Sequence, residues 1–378
     1  MTIVVKLGSS LVADGQGRVR RRLLLERAAD IGELSRAKER VCVVSSGAIA
    51  LGLRELGVAR RPRATPQLQA ASAVGQVRLQ LAWTEALRAE RLQAAQLLLS
   101  AADFAERATY VSVRNALMAL LRLGIVPVVN ENDATATDEI TFGDNDALAA
   151  QVAVLVGARL LVLLTEVEGV YTSHPADPDA QLLAEGGSLE GIRLGPGSEH
   201  GRGGMESKIA SARLAAAAGI PTVIASGRGR RVLAAIVAGE GRGTRFAPIA
   251  SPGSAFRLWL RYAKPTRGSI VVDDGARAAL TDHGRSLLAV GIVHCHGSFE
   301  PGDAVELVAL DGTPLGKGLV GAPAAELRGQ PRGVEAVHRD RLVLYDRAGA
   351  PTTSGGRVTA PSDAEETSAA YFASTPDA

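Results

Sequence analysis

Over residues 1–240, short continuous apolar runs alternate with longer stretches whose apolar positions recur at helical spacing. The runs Ile3–Lys6, Val41–Ser45, Ala95–Leu99, Val126–Val129, Leu160–Leu164 and Thr222–Ala225 predict strands. Between them, Arg22–Lys38, Gln67–Glu90, Tyr110–Leu123, Asn145–Val156 and Met205–Ala218 predict helices. A strand that is apolar at nearly every position is covered on both faces, and helices between such strands imply a parallel sheet. The expected class is α/β, a three-layer α/β/α sandwich with a mostly parallel sheet over residues 1–245.

The pattern then breaks. Residues 246–267 are rich in Gly, Pro and Ser and read as a linker. From 268 to 346, short β-like runs (SIVVD, SLLAVGIVHC, DAVELVA, LVLYD) are separated by turn signals such as PGD and DGT, which predicts a small C-terminal β-rich domain. Residues 347–378 are dominated by Gly, Ala, Pro, Ser and Thr and are expected to be disordered.

Composition narrows the classes. With 378 residues, 46% of them hydrophobic and 22% charged, the chain can bury a large core in two domains. A net charge of +2 gives no global electrostatic case for nucleic acid or a membrane surface. Two cysteines far apart, Cys42 inside the apolar run VCVVS and Cys295, favour a reducing compartment, the cytoplasm. The start MTIVVKLGSS lacks the charged and long apolar regions of a leader, and no apolar run reaches membrane-spanning length. Of 42 Lys plus Arg, only Lys6, Lys38, Lys208, Lys264 and Lys317 are lysine. Each retained lysine is therefore a candidate for a place where a compact ammonium is needed and an arginine fork is not equivalent.

Five stretches carry candidate chemistry. In VVKLGSS a strand ends in Lys6, with Gly8 allowing close backbone approach and Ser9 and Ser10 in the turn. Those are parts of a phosphate cradle, though a snorkelling lysine fits this stretch equally well. In VVSSGAIALG a buried strand runs through Ser46 and Gly47 into a helix beginning near Ala48, which suits either an anion site or a plain N-cap. VVNENDATATDEITFGDNDALAAQVA sets Asn130 and Asp133 before a loop, and Asp144, Asn145 and Asp146 after it. A solvated acidic loop explains the charge but not the two clusters, which are suited to reading an ammonium and holding a lysine. LLVLLTEVEGVYT ends a buried strand at Thr165 and Glu166, and GRGGMESKIASA brings Arg202, Gly203, Gly204, Met205, Glu206, Ser207 and Lys208 to a helix start; both suit nucleotide phosphates. All five lie at strand-to-helix turns or helix approaches, which gather at one edge of a parallel sheet. Two lysines, an Asp/Asn cluster and Gly/Ser turns in one pocket fit phosphoryl transfer.

The stretches KLGSS, SSGAIALG, AVGQ (Ala73–Gln76), PVVNENDA, FGDNDALAA, GVYT and GGMESK occur in an order that resembles the amino acid kinase family, specifically its glutamate-phosphorylating branch. Residues 268–345 look like a PUA domain. The resemblance implies the amino acid kinase fold and transfer of the ATP γ-phosphoryl to the γ-carboxylate of L-glutamate, giving L-glutamyl 5-phosphate for proline biosynthesis. It implies that Lys6 and Lys208 hold the transferring phosphoryl group and Asp146 orients them. Ser46, Gly47, Asn130, Asp133 and Asn145 would bind glutamate. Lys6, Gly8, Ser9, Thr165, Glu166, Arg202, Gly203, Gly204, Met205, Glu206, Ser207 and Lys208 would line the ATP site, with Mg²⁺ riding on the nucleotide. It further implies a homo-oligomer, dimer or tetramer, and feedback inhibition by proline. Glu166, Arg202 and Ser207 depart from the residues usual in similar enzymes, Asp, Thr and Thr, all on the nucleotide side.

Two other readings compete. Another small-acid kinase of the same fold is the nearer one; an RNA-binding protein is the one from a different class. Over 268–345 ten acids stand against seven bases, which lacks the footprint of a phosphate-backbone binder. His294 and His296 share a strand face in HCH without a third ligand nearby in sequence, so no metal site is expected there.

Overall fold

The continuous apolar runs become strands, most of them buried on both sides; the run expected at Ala95–Leu99 is the exception, because it lies at the sheet edge and is only partly buried. The computed structural model describes residues 1–135, 145–186, 204–249, 255–262 and 264–345. Chain order begins β1 (Thr2–Leu7), α1 (Ser9–Val12), α2 (Arg21–Arg36), β2 (Arg40–Ser45), α3 (Ala48–Glu55), α4 (Thr65–Ala89) and β3 (Ala94–Leu99). It continues through α5 (Ala101–Ala105), α6 (Arg107–Arg122), β4 (Val126–Glu131), α7 (Asn145–Val156), β5 (Leu160–Thr165), α8 (Met205–Ala217), β6 (Thr222–Ser226), α9 (Val232–Ala238) and β7 (Thr244–Phe246). These strands form one sheet in the order β3-β4-β2-β1-β5-β6-β7, parallel except for the antiparallel edge strand β7.

Side chains along β1 alternate between two cores, as the pleat requires. Ile3, Val5 and Leu7 pack with Leu24, Ile31, Leu51, Leu79 and Trp83 from the layer of α2, α3, α4 and α9. Val4 packs with Leu117, Leu148, Val152, Ile209 and Ala212 from the layer of α6, α7 and α8. Cys42 is fully buried in that second core, and burial pushes its thiol up to about 12, so it acts as a small hydrophobe.

The stretch read as a linker contains structure. It begins at Phe246, the last residue of β7, and holds α10 (Ala255–Tyr262). Trp259 on α10 is buried and donates its indole N–H to the carbonyl of Phe104 at 2.5 Å. With Leu260 it carries the α6–α8 core across to Ala304, Leu319 and Val343 of the second sheet. Buried Lys317 reaches back and donates to the carbonyl oxygens of Arg261 and Lys264, the ordinary place for a cation at a helix C-terminus.

That second sheet comprises β8 (Thr266–Val272), α11 (Asp274–Thr281), β9 (Leu287–Leu288), β10 (Ile292–Gly297), β11 (Ala304–Ala309), β12 (Pro314–Val320), α12 (Ala324–Leu327) and β13 (Glu335–Leu344). Its order is β10-β8-β11-β12-β13-β9, antiparallel except for the β8/β11 pair. It closes over its own core, from Ile270 through Phe299 and Leu307 to Val337. Residues 347–378, expected to be disordered, lie outside the described residues.

Candidate active site

The pleat that sends Val5 and Leu7 to one core sends Lys6 to the other face, towards α7 and α8. There it meets Asp146, the second residue of α7. Asp146 is fully buried, with Oδ1 2.7 Å from Lys6 Nζ and Oδ2 2.9 Å from Lys208 Nζ, near the start of α8. Both ammonium groups are themselves buried. Burial pushes the Asp146 carboxyl up, but the charges and hydrogen bonds of Lys6 and Lys208 outweigh it, and the acid is held below its ordinary value. Each carboxylate oxygen thus takes one ammonium group, in a place where water screens the charges little.

Backbone runs close beside this cluster. Gly8 donates its N–H to the carbonyl of Leu164 at 3.4 Å, and a Cβ on it would lie 3.9 Å from Lys6 Nζ. Ser9 opens α1 immediately after. At the end of β2, the Ser46 N–H donates to Leu7 O at 3.1 Å. Gly47 then takes a left-handed φ of +112°, a conformation that favours glycine, and a Cβ there would press on Val12 Cγ1 at 3.0 Å. The helix α3 starts at the next residue without a side-chain cap.

The residues at the end of β4 are held by α4. Asn130 is buried and its Oδ1 accepts the Glu131 N–H at 2.9 Å. Asp133 opens a single 3₁₀ turn, and its Oδ2 accepts the hydroxyl of Ser72 at 2.5 Å. Gln76, one turn further along α4, is buried and donates Nε2 to Glu131 O at 3.3 Å, while its Oε1 has no hydrogen-bond partner among the described residues. Asn145 opens α7 with its Oδ1 in the same condition. Ser72 and Gln76 carried no role in the sequence reading. Their spacing of four residues within and beside AVGQ was the available signal, since it puts both on one helix face.

The approach of α4 is set by glycine. A Cβ on Gly52 of α3 would lie 1.7 Å from Ala71 O, and one on Gly75 of α4 would lie 1.8 Å from Ala48 O. The two helices therefore cross backbone to backbone, which places Ser72 and Gln76 against the end of β4 and fixes the start of α3.

On the other side of Lys6, Thr165 ends β5 and its carbonyl accepts the Gly227 N–H at 2.8 Å. Glu166 is exposed and pairs with Arg228 at 2.7 Å. Gly204 caps α8, and Met205, exposed Glu206 and Ser207 lead to Lys208 in its first turns. Arg202, Gly203 and Asp144 lie outside the described residues. The predicted residues thus fall into a touching core, Lys6, Asp146 and Lys208, and two flanks at the C-terminal ends of β2 and β4 and of β5.

A model of the amino acid kinase family matches residues 1–226, and one of the PUA domain matches 268–338. Glutamate 5-kinase of Paraburkholderia xenovorans (strain LB400) is 42% identical over 362 residues, covering 90% of this chain and 97% of that one. The glutamate 5-kinase of Citrifermentans bemidjiense is 40% identical over 361 residues with the same coverage of both chains. A solved isopentenyl phosphate kinase superposes with a TM-score of 0.49 at 22% identity, covering 65% of this chain and 100% of that one. The chain belongs to the amino acid kinase family, within its glutamate 5-kinase branch, and it carries a PUA domain. No helix among the described residues is long and apolar enough to cross a membrane.

Proposed function

We propose that the chain transfers the γ-phosphoryl group of ATP to the γ-carboxylate of L-glutamate, giving L-glutamyl 5-phosphate and ADP, the entry to proline biosynthesis. The observation that carries this reading is Asp146, buried and clamped between Lys6 and Lys208 at 2.7 and 2.9 Å. The relatives' activity, at 40–42% identity over 90% of the chain, supports the choice of glutamate.

The reaction forms a bond between a γ-carboxylate oxygen and Pγ and breaks the bond from Pγ to the β–γ bridging oxygen, whose electron pair leaves with ADP. The attacking carboxylate is already ionised, so no base has to take a proton. The chain's task is to align donor and acceptor and to stabilise charge on the equatorial oxygens. Lys6 and Lys208 supply that positive charge, and Asp146 fixes their separation before substrate arrives.

Ser46, Gly47, Asn130, Asp133 and Asn145 would take the glutamate. Asn145 Oδ1, which has no hydrogen-bond partner among the described residues, and the Asp133 carboxylate are acceptors of the kind an α-ammonium group needs. Gly8, Ser9, Thr165, Glu166 and residues 202–208 would take the nucleotide. Mg²⁺ fits this donor set as an ion carried by the ATP phosphates. Asp146 is engaged by both lysines, and among the described residues no group of three His, Cys, Asp or Glu stands ready to cage a metal. When bound, the ion would neutralise phosphate charge alongside the lysines. Assembly as a dimer or tetramer, inhibition by proline beside the glutamate site and action in the cytoplasm belong to the same reading, as does division into a kinase unit over 1–245 and a PUA unit over 268–346.

Purified protein with ATP, Mg²⁺ and hydroxylamine is expected to give γ-glutamyl hydroxamate with glutamate as the best of a panel of amino acids. A stronger product signal with aspartate or acetylglutamate would move the reading to another small-acid kinase.

A further inference from the structure

A second cluster of cations sits at the same sheet edge, in the layer of α2 and α9. Arg20 precedes α2 without any side-chain cap, Arg21 and Arg22 fill its first two positions, and no acid occupies that turn. A helix start already carries partial positive charge and free N–H groups, so it favours acids. Three successive arginines there raise the local potential instead of neutralising it. Arg228 and Arg230, from the loop joining β6 to α9, line the same cleft of about 650 Å³.

The facing wall is rigidly built. Arg27 is fully buried on α2, and its guanidinium donates to Gly227 O at 2.5 Å and to Gly229 O at 2.6 Å. Its Nε pairs with Asp30 Oδ2 at 3.1 Å, and the same oxygen accepts the Leu233 N–H at 3.0 Å. Gly229 and Arg231 both take left-handed φ angles, +102° and +56°. A buried ionic strut thus holds the loop in a shape that an L residue such as Arg231 seldom adopts, and that shape sets Arg228 and Arg230 against the first turn of α2.

The charges in the cleft are only partly met. Glu26 on the wall is taken by Arg22 at 3.1 Å, and Arg228 leans out to Glu166. Arg21 reaches no closer than 3.9 Å to Glu85, in a pair that is mostly exposed. Among the described residues the Arg20 side chain donates only to the Ala13 carbonyl, at 3.4 Å, and neither it nor Arg230 has a carboxylate partner there. Guanidinium forks set around a cleft match the oxygens of a phosphate better than those of any neutral ligand.

We propose that this cleft, lined by Arg20, Arg21, Arg22, Arg228 and Arg230, binds a small, multiply charged phosphate-type anion at a site separate from the Lys6–Asp146–Lys208 cluster. Such an anion has two possible sources, a free anion or the phosphate tail of the nucleotide, and the site assigned here is for the free anion.

The test is a calorimetric titration of inorganic pyrophosphate into the full chain, first saturated with a non-hydrolysable ATP analogue at fixed free Mg²⁺. The expected result is about one equivalent bound by the wild type, with affinity falling at least tenfold in Arg20→Gln/Arg230→Gln and less in Arg20→Lys/Arg230→Lys, which keeps charge but loses the forks. Should the double variant not fold, Arg230→Gln alone, on an exposed loop, decides the matter with an expected loss of at least threefold. The proposal is overturned if the analogue abolishes pyrophosphate binding, if the wild type takes up none, or if the glutamine variants bind as tightly as the wild type.

Discussion

On the β2–β4 side of the sheet edge, polar groups are set by buried backbone packing. Gly52 and Gly75 let α3 and α4 touch, and through that crossing Ser72 reaches Asp133 and Gln76 reaches Glu131. On the β5 side, the corresponding contacts are on the surface. Glu166 and Arg228 pair with 40% and 58% of their side chains exposed, and Glu206 points to solvent. Of the departures that the family resemblance implies, Glu166 and Ser207 fall on this second side. A rim fixed by helix crossing can change only if two helices move. A rim made of exposed side chains can change one residue at a time. The difference predicts that substitutions on the first side are read in stability and glutamate binding, and those on the second in nucleotide binding alone.

The largest effect belongs to the point both sides share. Asp146→Asn leaves two buried ammonium groups facing a neutral amide, and breaking a buried pair in this way costs about 3–5 kcal/mol. Turnover should collapse along with melting temperature. The pH dependence identifies the cause. Because the Asp146 carboxyl is held below its ordinary value of 3.8, its contribution to stability is fully present above that value and is lost as pH falls through the lower, folded-state one. The stability gap between wild type and variant, measured by denaturant unfolding, should be widest near neutral pH and close in strong acid. A gap independent of pH would mean that the lysines do not rely on the carboxylate charge.

Lys208→Ala comes next, and it separates chemistry from folding. Removing one preorganised donor of charge to the transition state costs about 10²–10³-fold in kcat. The KM for glutamate should stay within about threefold of wild type. If kcat holds and the glutamate KM rises instead, Lys208 belongs to the first rim and the division drawn between the two sides is wrong.

Gly75→Ala tests the crossing itself. The added methyl would meet Ala48 O, so the helices must separate, and overpacking of this kind costs about 1–3 kcal/mol. Because Ser72 and Gln76 ride on α4, the glutamate KM should rise with the loss of stability while the ATP KM does not. A variant that is destabilised with both KM values unchanged would show that the crossing supports the fold and not the rim.

Much of this organisation was legible in the residues, and unevenly so. The six parallel strands were readable because each is a mainly apolar run flanked by helical spacing. Lys6 and Lys208 stood out because lysine is scarce in a chain of 42 basic residues. The edge strand β7, with three residues, is too short to carry a period, and α9, with seven, shows no polar face to betray it. Trp259 was hidden inside a Gly/Pro-rich stretch read as a linker, because only the neighbouring unit shows that its indole is buried. Ser72 and Gln76 were illegible for a related reason. Polar residues on an amphipathic helix read as a solvated face until the helix crossing turns that face inward.

The smallest expected effect sits on the second rim, and it is the most sensitive to where the boundary lies. Glu166→Gln removes the exposed pair with Arg228 without changing the size of the side chain. Exposed pairs of this kind are worth about 0.2–1 kcal/mol, so melting should be almost unmoved. Any effect on catalysis comes from freeing Arg228 beside Thr165, whose carbonyl is tied to the same loop through the Gly227 N–H. A released guanidinium at a nucleotide rim attracts phosphate, so the ATP KM should fall by up to about fivefold, with kcat and the glutamate KM unchanged. The shift should vanish at high salt, because exposed charges are screened over roughly 8 Å at physiological ionic strength and over less as salt rises. A change in the glutamate KM of the same size would show that the two rims are coupled through β5 and Lys6, and that tolerance of substitution at Glu166 owes nothing to surface exposure.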